Sequence, residues 1–114
     1  MTEGMKTVIY PVRDLAAAKA LYTAVLGAEP IMGAPYYVGF RVNDQDVGLD
    51  PNGHKQGMTG PLGYWHVASM DDALAAATAR GATVTSPARD VGGGKLVAAL
   101  TDADGNPFGL LQEA

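Results

Sequence analysis

The feature that most restricts what this chain can fold into is an internal repeat. Residues 8–27, VIYPVRDLAAAKALYTAVLG, read as a strand running into a helix, and the pattern returns in residues 67–81, VASMDDALAAATARG. In the first copy Asp14 is a short acceptor for the free N–H groups of the following turn, and apolar residues follow at Leu15, Ala18, Leu21, Tyr22, Val25 and Leu26 before Gly27 ends the helix. In the second copy Ser69 is the cap, Asp71 and Asp72 lie in the first turn where the positive end of the helix dipole favours them, and Gly81 is the stop. Two such units in 114 residues predict halves that share one sheet, because half a chain of this length buries too little surface to fold alone.

The intervening segments complete each unit with further strands. After a short loop at 28–34, residues 35–43 (PYYVGFRVN) alternate as a strand, residues 43–46 (NDQD) have turn chemistry, and 47–50 (VGLD) return before Pro51-Asn52-Gly53. The Gly-rich stretch 53–61 is the connector. The second unit opens with a strand at 62–68, passes through its helix, and continues with strands at 82–85, 95–101 and 108–112. Gly92-Gly93-Gly94 joins two strands rather than opening a helix, so it reads as a hairpin end and not as an anion cradle. Residues 102–107, DADGNP, lack the Glu of a calcium loop and read as a turn. The expected organisation is one domain over 1–114, with module one at about 5–52, a connector at about 53–61 and module two at about 62–112.

Composition narrows the function classes. With 47% hydrophobic and 18% charged residues the chain is expected to pack a core. It has no cysteine, which removes thiolate catalysis, cysteine-based zinc sites and disulfides. A net charge of −4 without a basic patch argues against nucleic-acid partners and tolerates a cationic small molecule. No apolar run approaches the roughly 20 residues that span a bilayer, and residues 1–6 (MTEGMK) carry no signal-peptide core, so the expectation is a cytoplasmic protein without a membrane partner.

The order strand, helix, three strands, used twice, with RDLAAAKALYTAVLG in the first helix and DADGNPFGLLQ at the end, resembles the vicinal oxygen chelate superfamily of glyoxalases, bleomycin resistance proteins and dioxygenases. The resemblance implies an α+β fold in which two βαβββ modules form a curved mixed sheet around a cavity. It also implies metal ligands in the metal-using branches, one from the first and one from the last strand of each module. Those positions fall on Thr7 and Leu62, and on Gly48 and Gly109. A divalent site needs about three imidazole or carboxylate ligands within roughly 2.0–2.2 Å, which these four residues do not supply. The expectation is therefore no metal and no cofactor, with the two glycines and the threonine widening the cavity floor.

Strand alternation turns Leu62, Tyr64 and His66 into the cavity and Gly63, Trp65 and Val67 towards the helices, which makes Trp65 a core residue. His66 could hydrogen-bond a ligand, act as a general base, or be satisfied by a neighbouring strand. Asp50, two residues beyond Gly48, could hold a cation or hydroxyl, or cap the 51–53 turn. A metal held by His66 and Asp50 lacks a third ligand. Tyr36, Tyr37 and Tyr64 supply aromatic surface for a flat or apolar ligand, and Met32 and Met58 lie in loops that could close over it. The resulting expectation is a metal-independent small-molecule binder, with antibiotic or metabolite sequestration as one form the resemblance implies. The competing expectation is an enzyme of the same superfamily, a lyase, isomerase or dioxygenase, using a relocated metal or His66 as base. The resemblance further implies homodimers.

Overall fold

The two helices begin and end on the residues that local chemistry requires. The computed structural model of the protein describes residues 2–114. Helix α1 (Leu15–Leu26) starts where the Asp14 side chain accepts from the Ala17 N–H, and ends where Gly27, at φ 65°, donates its N–H to the Thr23 carbonyl. Helix α2 (Met70–Ala79) starts where the Ser69 hydroxyl accepts from the Asp72 N–H, with Asp71 and Asp72 in the first turn. Its last cap is Arg80, one residue before the expected Gly81. The side-chain oxygen of Gln112 accepts the Met70 N–H at 2.6 Å, so the final strand also satisfies an orphan donor of α2. Among the described residues no helix is long and apolar enough to cross a membrane.

The chain divides into two compact units, residues 6–62 and residues 2–5 with 63–114. The first contains most of β1 (Thr2–Pro11), then α1, β2 (Met32–Ala34), β3 (Tyr37–Val42) and β4 (Gln45–Asp50). Its strands are ordered β2, β3, β4, β1, with β1 parallel to β4 and the other pairs antiparallel. The second unit contains the start of β1, all but the first residue of β5 (Leu62–Val67), then α2, β6 (Thr83–Asp90), β7 (Leu96–Thr101) and β8 (Pro107–Gln112). Its order is β6, β7, β8, β5, with β5 parallel to β8 and the rest antiparallel. Each unit is therefore a βαβββ module in the same topology, as the repeat predicts.

In each module one sheet face packs against the helix. In the first, Val38, Phe40, Val47 and Leu49 are buried under Leu15, Ala18, Tyr22 and Leu26. In the second, Ala98, Leu100 and Leu110 are buried with Met70, beside Ala73, Leu74 and Ala77. Leu21 and Val25 are not part of the buried stripe, being 56% and 66% exposed. The spacing 15, 18, 22, 26 already completes one face at 3.6 residues per turn, and 21 and 25 fall to its side. Three further expectations are corrected. Residues 32–34 form β2 and so hold Met32 in a strand, and the tight connection at 35–36 places Tyr36 in a hairpin turn rather than in a strand. Strand β6 runs on to Asp90, with register shifts around Ser86.

Candidate functional site

The sheet face turned away from the helix carries the candidate residues of each module, because side chains alternate along every strand. In module one Ile9 pairs with Gly48, and Gly48 pairs in turn with Gly39, so Thr7, Ile9, Tyr37, Gly39, Gly48 and Asp50 share that face. In module two Tyr64 pairs with Gly109 and His66 with Leu111, and Gly109 pairs with Ala99. The registers make the modules superimposable position by position: Thr7 corresponds to Leu62, Ile9 to Tyr64, Gly48 to Gly109, Tyr37 to Val97 and Asp50 to Leu111.

The expectation that the two strand glycines widen the floor is overturned. A Cβ on Gly48 would overlap the Tyr37 hydroxyl and lie 2.6 Å from Cζ of the same ring. A Cβ on Gly109 would overlap Cδ2 of Tyr64 and lie 2.5 Å from Cε2 and 2.8 Å from Cγ. The volume released by each glycine is filled by a tyrosine ring from a neighbouring strand. Gly39 widens the seat in module one, since its own Cβ would stand 3.3 Å from Cε2 of Tyr37.

Thr7, Leu62, Tyr64 and His66 are all buried. The His66 side chain is 7% exposed and its Nδ1 stands 4.0 Å from Oε1 of Glu113. The same carboxylate oxygen lies 3.8 Å from Nζ of Lys95. One carboxylate oxygen thus stands within ion-pair distance of both the imidazole and the lysine. Residues 2–5 brace this strand from one side. Thr2 Oγ1 donates to the His66 carbonyl at 3.0 Å and accepts from the Gly4 N–H at 3.0 Å. The Met5 sulfur occupies the space beside Gly63, where a Cβ would be 2.5 Å away.

In module one Asp50 is half-buried, and its Oδ1 accepts from the Asn52 N–H at 2.8 Å, which makes it the cap of the 51–53 turn. Its second oxygen has no hydrogen bond among the described residues. Tyr36 is 63% exposed on its turn. Met58 lies in the connector with its sulfur near Gly53. Trp65, expected in the core, is 39% exposed. Its counterpart Tyr10 is covered by Tyr22, with ring centroids 4.9 Å apart, whereas the α2 position equivalent to Tyr22 is Ala77, which has no ring to lay over the indole. Sequence reasoning also missed Lys95 and Glu113. Neither carries a motif, and only pairing of the strands brings them to His66.

The metal-ligand positions of module one hold a hydroxyl and a hydrogen, and those of module two an isobutyl group and a hydrogen. Among the described residues no three His, Asp or Glu side chains gather where they could hold an ion. These residues do not fit a divalent metal.

Comparison with known proteins agrees with this architecture. The family model of the Glyoxalase/Bleomycin resistance protein/Dioxygenase superfamily matches residues 4–110. No curated protein sequence matches the chain. Among solved structures, a methylmalonyl-CoA epimerase from Mycobacterium tuberculosis is similar at 17% identity and a TM-score of 0.73, covering 99% of this chain and 89% of the epimerase. An NAD-dependent benzaldehyde dehydrogenase from Legionella pneumophila is similar at 16% identity and a TM-score of 0.76, covering 95% of this chain and 98% of that one. A glyoxalase/bleomycin resistance protein/dioxygenase superfamily member from Vibrio splendidus 12B01 is similar at 16% identity and a TM-score of 0.67, covering 94% and 97%. At these identities the likeness is one of fold.

Proposed function

Since the chain belongs to the Glyoxalase/Bleomycin resistance protein/Dioxygenase superfamily, we propose that it is a metal-independent member of it that binds a small organic molecule. The observation that carries this reading is the chemistry of the four ligand positions: Thr7, Leu62, Gly48 and Gly109 offer one hydroxyl between them, and tyrosine rings fill the space over both glycines. The aromatic residues Tyr37 and Tyr64, with the exposed Tyr36, provide apolar contact. The candidate polar anchors are Asp50 within module one and His66 within module two, and sequestration of an antibiotic or metabolite is one form the activity takes. The protein acts in the cytoplasm as a homodimer.

The test is a titration with aromatic and cationic compounds, followed by the half-exposed Trp65 fluorophore and by melting temperature. Saturable quenching with a rise in melting temperature is expected. Elemental analysis of protein purified without added metal is the second arm, and a stoichiometric divalent ion would overturn the proposal.

One observation favours a second reading. The His66 imidazole is buried on the sheet face turned away from the helix, with the Glu113 carboxylate 4.0 Å from its Nδ1, which makes it the candidate general base. In that reading the chain abstracts a proton from a carbon acid, as an epimerase must. Exchange of solvent deuterium into a methylmalonyl thioester, lost in His66→Gln, would support it, and exchange unchanged by that substitution would dismiss it.

A further inference from the structure

Gly48 and Gly109 have no backbone reason to be glycine. Both lie inside regular strands, and neither has the positive φ found at Gly27, Gly57 or Gly105. Glycine within a strand weakens it through chain entropy and marks a place where another group approaches closely. Here the approaching group is the same in both modules, a phenol ring. The two rings nevertheless come from non-equivalent positions. In module one it is Tyr37 of β3, and the first-strand position beside the glycine is Ile9. In module two it is Tyr64 of β5, and the position equivalent to Tyr37 is Val97.

We propose that Gly48 and Gly109 are positioning residues, each the seat of one tyrosine ring, and that each ring sets the size of ligand its own module accepts. A methyl at either glycine evicts the ring, and a smaller side chain in place of the ring opens the volume beneath it. The size limit rests on the small-molecule reading above, whereas the seat itself does not. The seats also differ in tolerance. The atoms nearest a Cβ at Gly48 are the hydroxyl and Cζ, the far end of Tyr37, which a small rotation at the root of the side chain displaces most. Those nearest a Cβ at Gly109 include Cγ of Tyr64, close to the root of the side chain, which yields only by a change of rotamer.

The other module supplies the compensating substitution in each case. The experiment is a pair of double-mutant cycles, Gly109→Ala with Tyr64→Ile and Gly48→Ala with Tyr37→Val, read by melting temperature and by proton NMR. In the native protein the Gly109 Hα resonances are expected upfield of those of the other glycines, under the Tyr64 ring current. Gly109→Ala should lower the melting temperature more than Gly48→Ala, and each compensating change should restore most of the loss. Additive cycles with an ordinary Gly109 Hα shift would overturn the seats. Binding of benzyltrimethylammonium and its larger naphthylmethyl analogue, followed by Trp65 fluorescence, tests the size limit. The larger probe is expected to gain at least about tenfold over the smaller in Gly109→Ala/Tyr64→Ile, a change of about 1.4 kcal/mol. Coupled cycles with an unchanged preference would leave the seats and overturn the size limit. Coupled cycles with no binding by either protein would overturn the size limit together with the small-molecule reading.

Discussion

Module one and module two share a topology, a strand register and a glycine at the same place in the last strand, yet they fill the space over that glycine from different strands. Tyr37 with Ile9 in the first corresponds to Val97 with Tyr64 in the second. The repeat thus preserved a volume rather than a residue. Close packing explains how that is possible, because a core constrains the total occupied space and the rotamers that fill it more tightly than the origin of each atom.

The comparison can be broken most forcefully at the helix-side cores. Phe40 and Leu100 occupy equivalent positions and are fully buried. Phe40→Ala is expected to cost about 3–5 kcal/mol and Leu100→Ala about 2–5 kcal/mol in chemical denaturation. Because neither module should stand alone, each variant should unfold in one transition that involves both, and two separate transitions would contradict that. The strand glycines come next. Gly109→Ala should cost about 1–3 kcal/mol by overpacking, with Gly48→Ala at the lower end of that range or below it. Equal losses would show that the two rings are equally mobile.

The caps offer a finer comparison. Asp14→Ala and Ser69→Ala each remove one side-chain acceptor from a helix start, at about 1 kcal/mol apiece by thermal melting. Ser69→Ala should be the milder, since Gln112 still accepts from Met70 in the same turn.

The smallest effects are pH-dependent and belong to one module each. Burial, and secondarily the neighbouring Tyr10, raises the Tyr22 hydroxyl above its ordinary pKa of 10.0. The folded state then holds this proton more tightly than the unfolded chain does. Its contribution is complete below pH 10 and is lost as pH rises through the folded value. Tyr22→Phe should therefore flatten the alkaline limb of the stability profile, whereas module two, with Ala77 there, has nothing equivalent to lose. In module two the Asn106 side chain, then the Asn106 backbone N–H, lowers the Asp102 carboxyl below its ordinary 3.8. That contribution is present above pH 3.8 and is lost as pH falls through the lower folded value. Asn106→Ala should reduce the acid dependence of melting. The connection between β3 and β4 in module one, at 43–44, has no corresponding network among the described residues.

Much of this architecture was legible because its causes are local. Asp14, Gly27 and Ser69 mark helix ends through hydrogen bonds made within a few residues. The presence of two like units follows from the repeat, and their sheet arrangement was what the family resemblance implied. The turn at 102–106 follows from Asp102 accepting the Asp104 and Asn106 N–H groups. Alternation correctly set Tyr64 and His66 opposite Val67. It failed for Trp65 because facing the helix side and being covered by a helix are different things, and coverage depended on Ala77, twelve residues away. Tyr36 was misassigned because a three-residue β2 is too short to have a period.

What the amino-acid sequence determined by itself is the βαβββ repeat, the caps and turns, and that Thr7, Leu62, Gly48 and Gly109 carry no imidazole or carboxylate, since each depends on the identity or spacing of nearby residues. Only the tertiary structure decided that the space over the glycines is occupied and by which tyrosine. It likewise decided that Glu113 stands between His66 and Lys95. Those outcomes depend on which side chains reach a shared volume once distant strands are paired, and residues far apart along a chain carry no local signal of that meeting.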